Sequence, residues 1–443
     1  MNYIKNKKNT LISILCIFLL IFIWVIYTNV YKQLPMFRDK TITIGVFSDS
    51  YWEVQNGYSY RILEDAIAIF EKEHPKIQVE YVSGILKKDY SEWLVEQLLS
   101  DNAPDIFFIL AEDFNDIAEI GALKDLTPLI AEDNTFQKNR FYSSAYQCGQ
   151  YHGIQYSLPY ECAPKLMFVN QTILNNEELS ISNEDWTWQE FYNICQKATK
   201  DTNGDGVIDQ FGTVDYTWEE AFDSNGIKLF NQEGTKCYLT DDNIEPALIF
   251  IEQLEKLNEG YNISSNDFDL GNVVFQPMLF SEYRAYKPYP LSIKKYSSFE
   301  WDCIPMPAGP SGENISTLNT LLIAMNANTR NTEYAWDFMK VLTCNTQIQS
   351  EIFEYSEGVS VLKEVTESDK TLQSLMGSSE NNLNLQILSD AVENAVIAPR
   401  FRNYDEAIAE VNRAVHSIIE ENTNISMGQI IWNRTINKKL NYK

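Results

Sequence analysis

The chain has 443 residues, 44% of them hydrophobic and 13% aromatic, enough for more than one packed core. Its formal net charge of −27 sets it against nucleic acid and anionic membrane surfaces, whose phosphates repel such a body. A DNA- or RNA-binding role is therefore excluded, while the identity of a partner stays open.

Lys5, Lys7 and Lys8 precede residues 11–26, an uncharged and almost wholly apolar run. Residues 11–31 are long enough to span a bilayer as a helix, and the lysines belong on its cytoplasmic side. We expect residues 1–10 to be a cytoplasmic basic N-terminus and 11–31 a retained signal anchor. The body would then be extracellular at the cell membrane. A cleaved signal peptide and lipid attachment at Cys16 are the rival readings. No small-x-small site follows the run, and bulky Leu15 precedes Cys16.

Residues 41–47 alternate as a first strand, and apolar residues at 62, 63, 66, 67, 69 and 70 have helical spacing. Pro75 stops that helix. Ile77, Val79 and Tyr81 alternate again, 90–99 reads as a helix, and 105–110 is a short apolar run. This β-α-β-α-β rhythm predicts a parallel sheet with helices on both faces, whose ligands bind beyond the C-terminal strand ends. Residues 151–170 read as a crossover ending in a strand at 165–169. A helix runs from Trp186 to Lys200, and more helices follow to about residue 260. Residues 301–307 read as a second crossover and 317–325 as a strand. Segments 332–343 and 382–422 read as helical, and 356–380 as polar and loop-rich.

Residues 201–212 read Asp-Thr-Asn-Gly-Asp-Gly-Val-Ile-Asp-Gln-Phe-Gly. Oxygen ligands at Asp201, Asn203, Asp205 and Asp209, with the Val207 carbonyl, follow the first nine positions of a calcium loop. Position 12, normally a bidentate Glu, is Gly212. A structural calcium and a metal-free turn with local Asp and Asn bonds are both open. No cofactor is required. The cysteines beyond the anchor, Cys148, Cys162, Cys195, Cys237, Cys303 and Cys344, form no C-x-x-C pair. Zinc-ribbon and redox readings have no support.

Several ordered stretches carry a family resemblance. They are Pro104-Asp105-Ile106-Phe107-Phe108 with Leu123, Leu126 and Pro128; Gly153 through Pro159 with Phe168-Val169-Asn170; and Trp188-Gln189-Glu190-Phe191 with the 201–212 loop. Pro305 through Pro310 and Ala335-Trp336-Asp337-Phe338-Met339 complete the series. The chain resembles the family 1 extracellular solute-binding proteins of ABC importers, the maltose-binding-like sugar receptors. The resemblance implies an α/β fold of two lobes joined by a hinge, with a ligand cleft between them. The expected N-terminal lobe is 41–158 with 305–350, and the C-terminal lobe 163–303 with 351–443. Crossings would fall near 157–163, 301–306 and 350.

In such receptors, flat aromatics stack on sugar rings while planar polar groups meet hydroxyls. Positions matching the family's cleft are Tyr51, Trp52, Glu112, Asp113, Glu161, Tyr216, Trp218, Glu219, Tyr283, Tyr286, Arg400 and Tyr404. A "G-x-x-A-M" turn usual in the family is replaced by 270–278, with Pro277 at an unexpected place. The resemblance implies a monomeric receptor that closes on a sugar or oligosaccharide and serves ABC permease subunits. Other polar solutes such as peptides or amino acids, a sensor or adhesin role, and an extracellular carbohydrate-active enzyme are the alternatives. No His-x-x-x-His pair, Gly-x-Ser-x-Gly elbow or phosphate loop is present, and the expectation is no enzyme.

Overall fold

The computed structural model describes residues 40–52, 60–182, 185–282, 299–376, 385–399, 401–420 and 424–441. The alternating first segment forms β1 (Lys40–Gly45), which pairs in parallel with β2 (Ile77–Tyr81) and β3 (Ile106–Ile109). All four residues of β3 are buried, as a strand covered on both faces requires. Between β1 and β2 the helix Arg61–Glu73 buries Ile62, Leu63, Ala66 and Phe70, the spacing of one helical face. The Pro-Asp motif has a structural cause. The Asp105 carboxylate accepts from the Thr43 amide at 2.9 Å and from Asn331 Nδ2 at 3.3 Å, tying β1 to a distant turn.

A hairpin of β4 (Gln150–Tyr151) and β5 (Ile154–Gln155) leads into β6 (Ser157–Asn170), a strand of 14 residues. The remaining strands are β7 (Phe211–Thr213), β8 (Val273–Leu279), β9 (Trp301–Ile304), β10 (Leu318–Met325) and β11 (Val359–Ser360). The first half of β6 pairs with β10 and β11, and β10 lies against β3. Its second half, from Lys165, pairs with β8 and β9, and β7 lies parallel to β8. One strand thus runs through two sheets, and each sheet organises a lobe. Two prolines, Pro159 and Pro164, did not break it. The register shifts between Leu321 and Leu322, which oppose Glu161 and Pro159, so Tyr160 has no opposite residue. Such a bulge is how a strand tolerates proline. Pro277 is accommodated in β8 past Phe275, the last residue paired with β7.

The second lobe buries Trp186, Trp188, Phe191, Phe250 and Phe275 around one face of its sheet, with Trp188 and Phe250 stacked at 4.4 Å. Phe211, Phe268, Val273 and Trp301 cover the other face and continue into the first lobe's core.

The expected crossings need correction. The first change of sheet falls at Pro164 and Lys165. Residues 305–315 stay with the second lobe, because Ala308 pairs with Thr187 and Ser311 binds Asn225. The second crossing is at 316–318. The third is not near 350. The helix Thr346–Tyr355 packs on Arg61–Glu73, and β11 joins the first sheet. Helix Leu385–Glu393 binds the first lobe through Tyr142 to Ser389. The chain leaves at Val396, paired with Thr317, and enters the second core at Phe401. Residues 356–380, read as loop, contain β11 and the helices Lys363–Thr366 and Asp369–Met376. The segment read as helical from 382 holds helices Leu385–Glu393 and Tyr404–Glu420 with the third crossing between them.

Residues 1–31 lie outside the described residues. Among the described residues no helix is long and apolar enough to cross a membrane. Cys148, Cys162, Cys195, Cys237, Cys303 and Cys344 are free thiols.

Candidate ligand-binding site

Three chain segments converge beyond the C-terminal ends of β1 and β3. A cavity of about 70 Å³ there is lined by Asp49, Ser50, Tyr51, Tyr160, Glu161 and Ser356, among others. Successive strand residues point to opposite faces, yet Tyr160 and Glu161 both border the cavity. The bulge at Tyr160 makes that geometry.

Each functional group is held. The Ser356 hydroxyl donates to Glu161 Oε2 at 2.5 Å, and Glu161 is only 4% exposed. The Ser50 hydroxyl donates to Glu357 Oε2 at 3.1 Å and accepts the Trp52 amide at 3.1 Å. Tyr51 and Trp52 meet edge to face at 4.7 Å. Lys87 Nζ donates to the Tyr51 carbonyl at 2.8 Å and sits over the Tyr51 ring. Burial first, and then the nearby Glu112 carboxylate, raise the Tyr51 phenol above its ordinary range, so it stays protonated.

Glu112 and Asp113 lie in the first turn of helix Ala111–Glu119, whose N-cap is Leu110. Neither caps the helix, although both suit its positive end. Glu112 is exposed, while Asp113 is partly buried and accepts from the Ser91 hydroxyl at 2.5 Å. Burial, together with Glu112 and Asp116, raises the Asp113 pKa against the Ser91 bond.

The second-lobe candidates do not border this cavity. Tyr216 and Trp218 are core residues, each 7% exposed. Trp218 donates its indole N–H to Asn412 and packs on Phe222, while Tyr216 packs on Phe191. Tyr404 packs against Phe401 and Phe230. Aromatic density in this lobe serves its core, so the sequence alone cannot separate stacking platforms from packing. Glu219 is exposed at the start of helix Trp218–Ser224, one residue before Glu220, which pairs with Lys165 at 2.6 Å. Tyr283, Tyr286 and Arg400 lie outside the described residues.

Ser356, Glu357 and Gly358 were missed. Their signal is a Ser-Glu-Gly stretch opening a polar region, which resembles any turn until β11 brings it onto β6.

The 201–212 loop turns its oxygens on itself. Asp201 accepts the amides of Asn203, Gly204 and Gly206. Asp209 accepts from Thr202 and Asn203, Asn203 from the Asp205 amide, and Asp205 from the Val207 amide. Oxygen-only donors suit calcium. However, among the described residues no three His, Cys, Asp or Glu gather as a metal site. Gly212 has no room for the missing ligand, since a Cβ there would lie 2.4 Å from Cys195 Cα.

Two α/β lobes linked by three crossings, with a polar and aromatic pocket where the strands end, define a two-lobed ligand-binding protein. Residues 52–347 match the model of the bacterial extracellular solute-binding proteins, and the chain belongs to that family. Solved structures agree in fold. An ABC substrate-binding protein of Listeria monocytogenes in complex with cycloalternan is 19% identical, over 91% of this chain and 100% of that one, with a TM-score of 0.67. The sugar-binding protein MalE of Xanthomonas citri is 14% identical over 90% and 97%, with a TM-score of 0.72. The cyclic α-maltosyl-1,6-maltose binding protein of Arthrobacter globiformis is 14% identical over 91% and 99%, with a TM-score of 0.74. No curated protein matches the chain.

Proposed function

We propose that the chain is the extracellular receptor of an ABC importer, capturing a sugar or oligosaccharide by lobe closure and delivering it to a membrane permease. The observation that carries this reading is the buried Glu161 carboxylate of β6, set beside Tyr51 and Ser356 beyond the ends of β1 and β3, in a family of solute-binding proteins. Carboxylates beside aromatic faces suit hydroxyl-rich rings. Solved relatives described with cycloalternan, maltotetraose and mannotriose support the substrate class. A ligand that contacts both lobes only when they meet shifts the open–closed balance by its differential affinity. We read the protein as a monomeric binder that performs no reaction, tethered by residues 11–31 with its body outside the cell.

A thermal-shift screen of the purified chain against sugars, amino acids and peptides tests the reading. At a ligand concentration 100-fold above Kd, stabilisation is roughly 2.7 kcal/mol. We expect an oligosaccharide to give it. Stabilisation by amino acids or peptides alone removes the sugar class, and steady product release from glycans removes the binder class.

A further inference from the structure

We propose that the free receptor lies on the outer leaflet of its own membrane through Leu99 and Ile120, at the end of the first lobe opposite the ligand cavity. The inference rests on the reading of residues 11–31 as a retained anchor and adds the surface that the anchored body turns to the bilayer.

Chain length confines the body. As a helix, residues 11–31 are about as long as the hydrocarbon core is thick, roughly 30 Å. Residues 32–39 then join the anchor to β1, and a stretch of that length reaches at most roughly 30 Å when fully extended. Part of that reach is used in crossing the headgroups. Lys40, at the start of β1, therefore stays close to the leaflet, and so does whatever shares its end of the sheet. Hydrogen bonds identify those segments. The Lys40 amide donates to the Lys76 carbonyl, and Asn331 Nδ2 to the Thr41 carbonyl. Asn326 Nδ2 donates to the Ala103 carbonyl, and the Ala327 amide to the Ala122 carbonyl. The cavity lies beyond the opposite ends of β1 and β3.

Leu99 and Ile120 occupy this end. Leu99 closes the helix Lys87–Leu99, and Ile120 is the C-cap of Ala111–Glu119. Both helices follow the C-terminal end of a strand and run back along the sheet. The Ser91 hydroxyl of the first donates to Asp113 in the first turn of the second, so they lie side by side. At nearly equal rise from that bond they end at Leu99 and Ile120. Leu99 is 81% exposed, the most of any large apolar side chain among the described residues, and Ile120 is 63% exposed. The formal charge sets the body as a whole against an anionic bilayer, but this end is close to neutral. Its turns at 74–76, 99–105, 120–125 and 326–331, with Lys40, hold four basic residues against three acidic ones. Two apolar side chains bind a bilayer weakly by themselves. A short tether holds them there at an effective concentration on the order of millimolar, so the contact is populated and reversible. It turns the cavity away from the bilayer, toward arriving solute.

The test uses the full chain in vesicles of phosphatidylcholine and phosphatidylglycerol. Cys16→Ser and Cys344→Ser leave only buried native thiols, so a fluorescent dye goes to one introduced cysteine. The sites are Leu99→Cys, Ile120→Cys and Lys76→Cys, with Val207→Cys, exposed on the second lobe, as the control. Lipids with spin-labelled headgroups should quench the dye at the first three sites and leave it unchanged at the fourth. Leu99→Ser combined with Ile120→Ser alters two exposed positions, so the melting temperature should hold while quenching at Lys76→Cys is lost. Quenching no stronger at 99 and 120 than at 207 would overturn the proposal. So would quenching at Lys76→Cys that survives the double serine change, since the tether alone would then bring this end near the leaflet. If an alkaline wash strips the unlabelled chain from the vesicles, the anchor reading fails first, and this inference with it.

Discussion

Glu351 is 9% exposed on helix Thr346–Tyr355, and its Oε2 has no hydrogen-bond partner. Burial, and then the neighbouring Asp65 charge, push its pKa up to about 7. An unfolded chain ionises Glu near 4.3. Between those values the native state binds more protons than the unfolded one, so stability falls as pH rises from about 4 to about 7 and stays lower above. Glu351→Gln should therefore stabilise the protein by roughly 1–3 kcal/mol at pH 8 and change little at pH 4. Denaturant titrations at the two pH values measure this, and an equal effect at both would show the carboxylate to be neutral throughout. Single residues were unevenly legible. Tyr51 and Trp52 follow the first strand, where a parallel sheet is expected to bind its ligand, whereas Glu161 lies inside β6 and is offered by the Leu-Pro pair before it. Gly358 has no such signal, because its meaning depends on two side chains about 200 and 300 residues earlier, Glu161 and Trp52, which pack tightly on its backbone.

At the scale of elements, periodicity located most strands and helices but misjudged those whose reason is non-local. The strand β6 reads as two pieces because of its prolines, and only the ladder with β10 and the bulge opposite Leu321 join them. β11 is two residues long, too short for alternation to register. The 201–212 loop is the reverse case, a strong local pattern that suits a calcium site and a metal-free turn alike. We propose that it folds as a metal-free turn, since its carboxylates are engaged by its own amides. Those amides, that of Gly206 foremost, hold the Asp201 carboxyl below its ordinary range. Millimolar calcium should leave the melting temperature unchanged. Asp201→Ala, which strands three amides, should lower it more than Asp205→Ala, which strands one. A calcium-dependent rise lost in Asp205→Ala would restore the metal site.

Across the whole molecule, the lobes communicate through three crossings at 164–165, 316–318 and 396–401. All three converge, since Lys165 donates its amide to Thr317 and Val396 donates to Ser316. Bundled crossings of this kind restrict the lobes to rotation about one line instead of free tumbling. The lobes also touch just past the third crossing, where the Asn403 amide donates to the Asp116 carboxylate at 3.2 Å. One exposed hydrogen bond contributes roughly 0.5–1.5 kcal/mol, too little to hold the lobes shut alone. Moving a balance from mostly open to mostly closed takes about 5.5 kcal/mol of differential affinity, which a solute gripped from both sides supplies. Spin labels at the exposed Val95 and Ile249, one on each lobe, report the motion directly. A saturating sugar from the screen should narrow and shift their distance distribution. A distribution identical with and without that sugar would mean that the solute is held by the first lobe alone, at Tyr51, Trp52 and Glu161, and that the second lobe serves the permease and not the ligand.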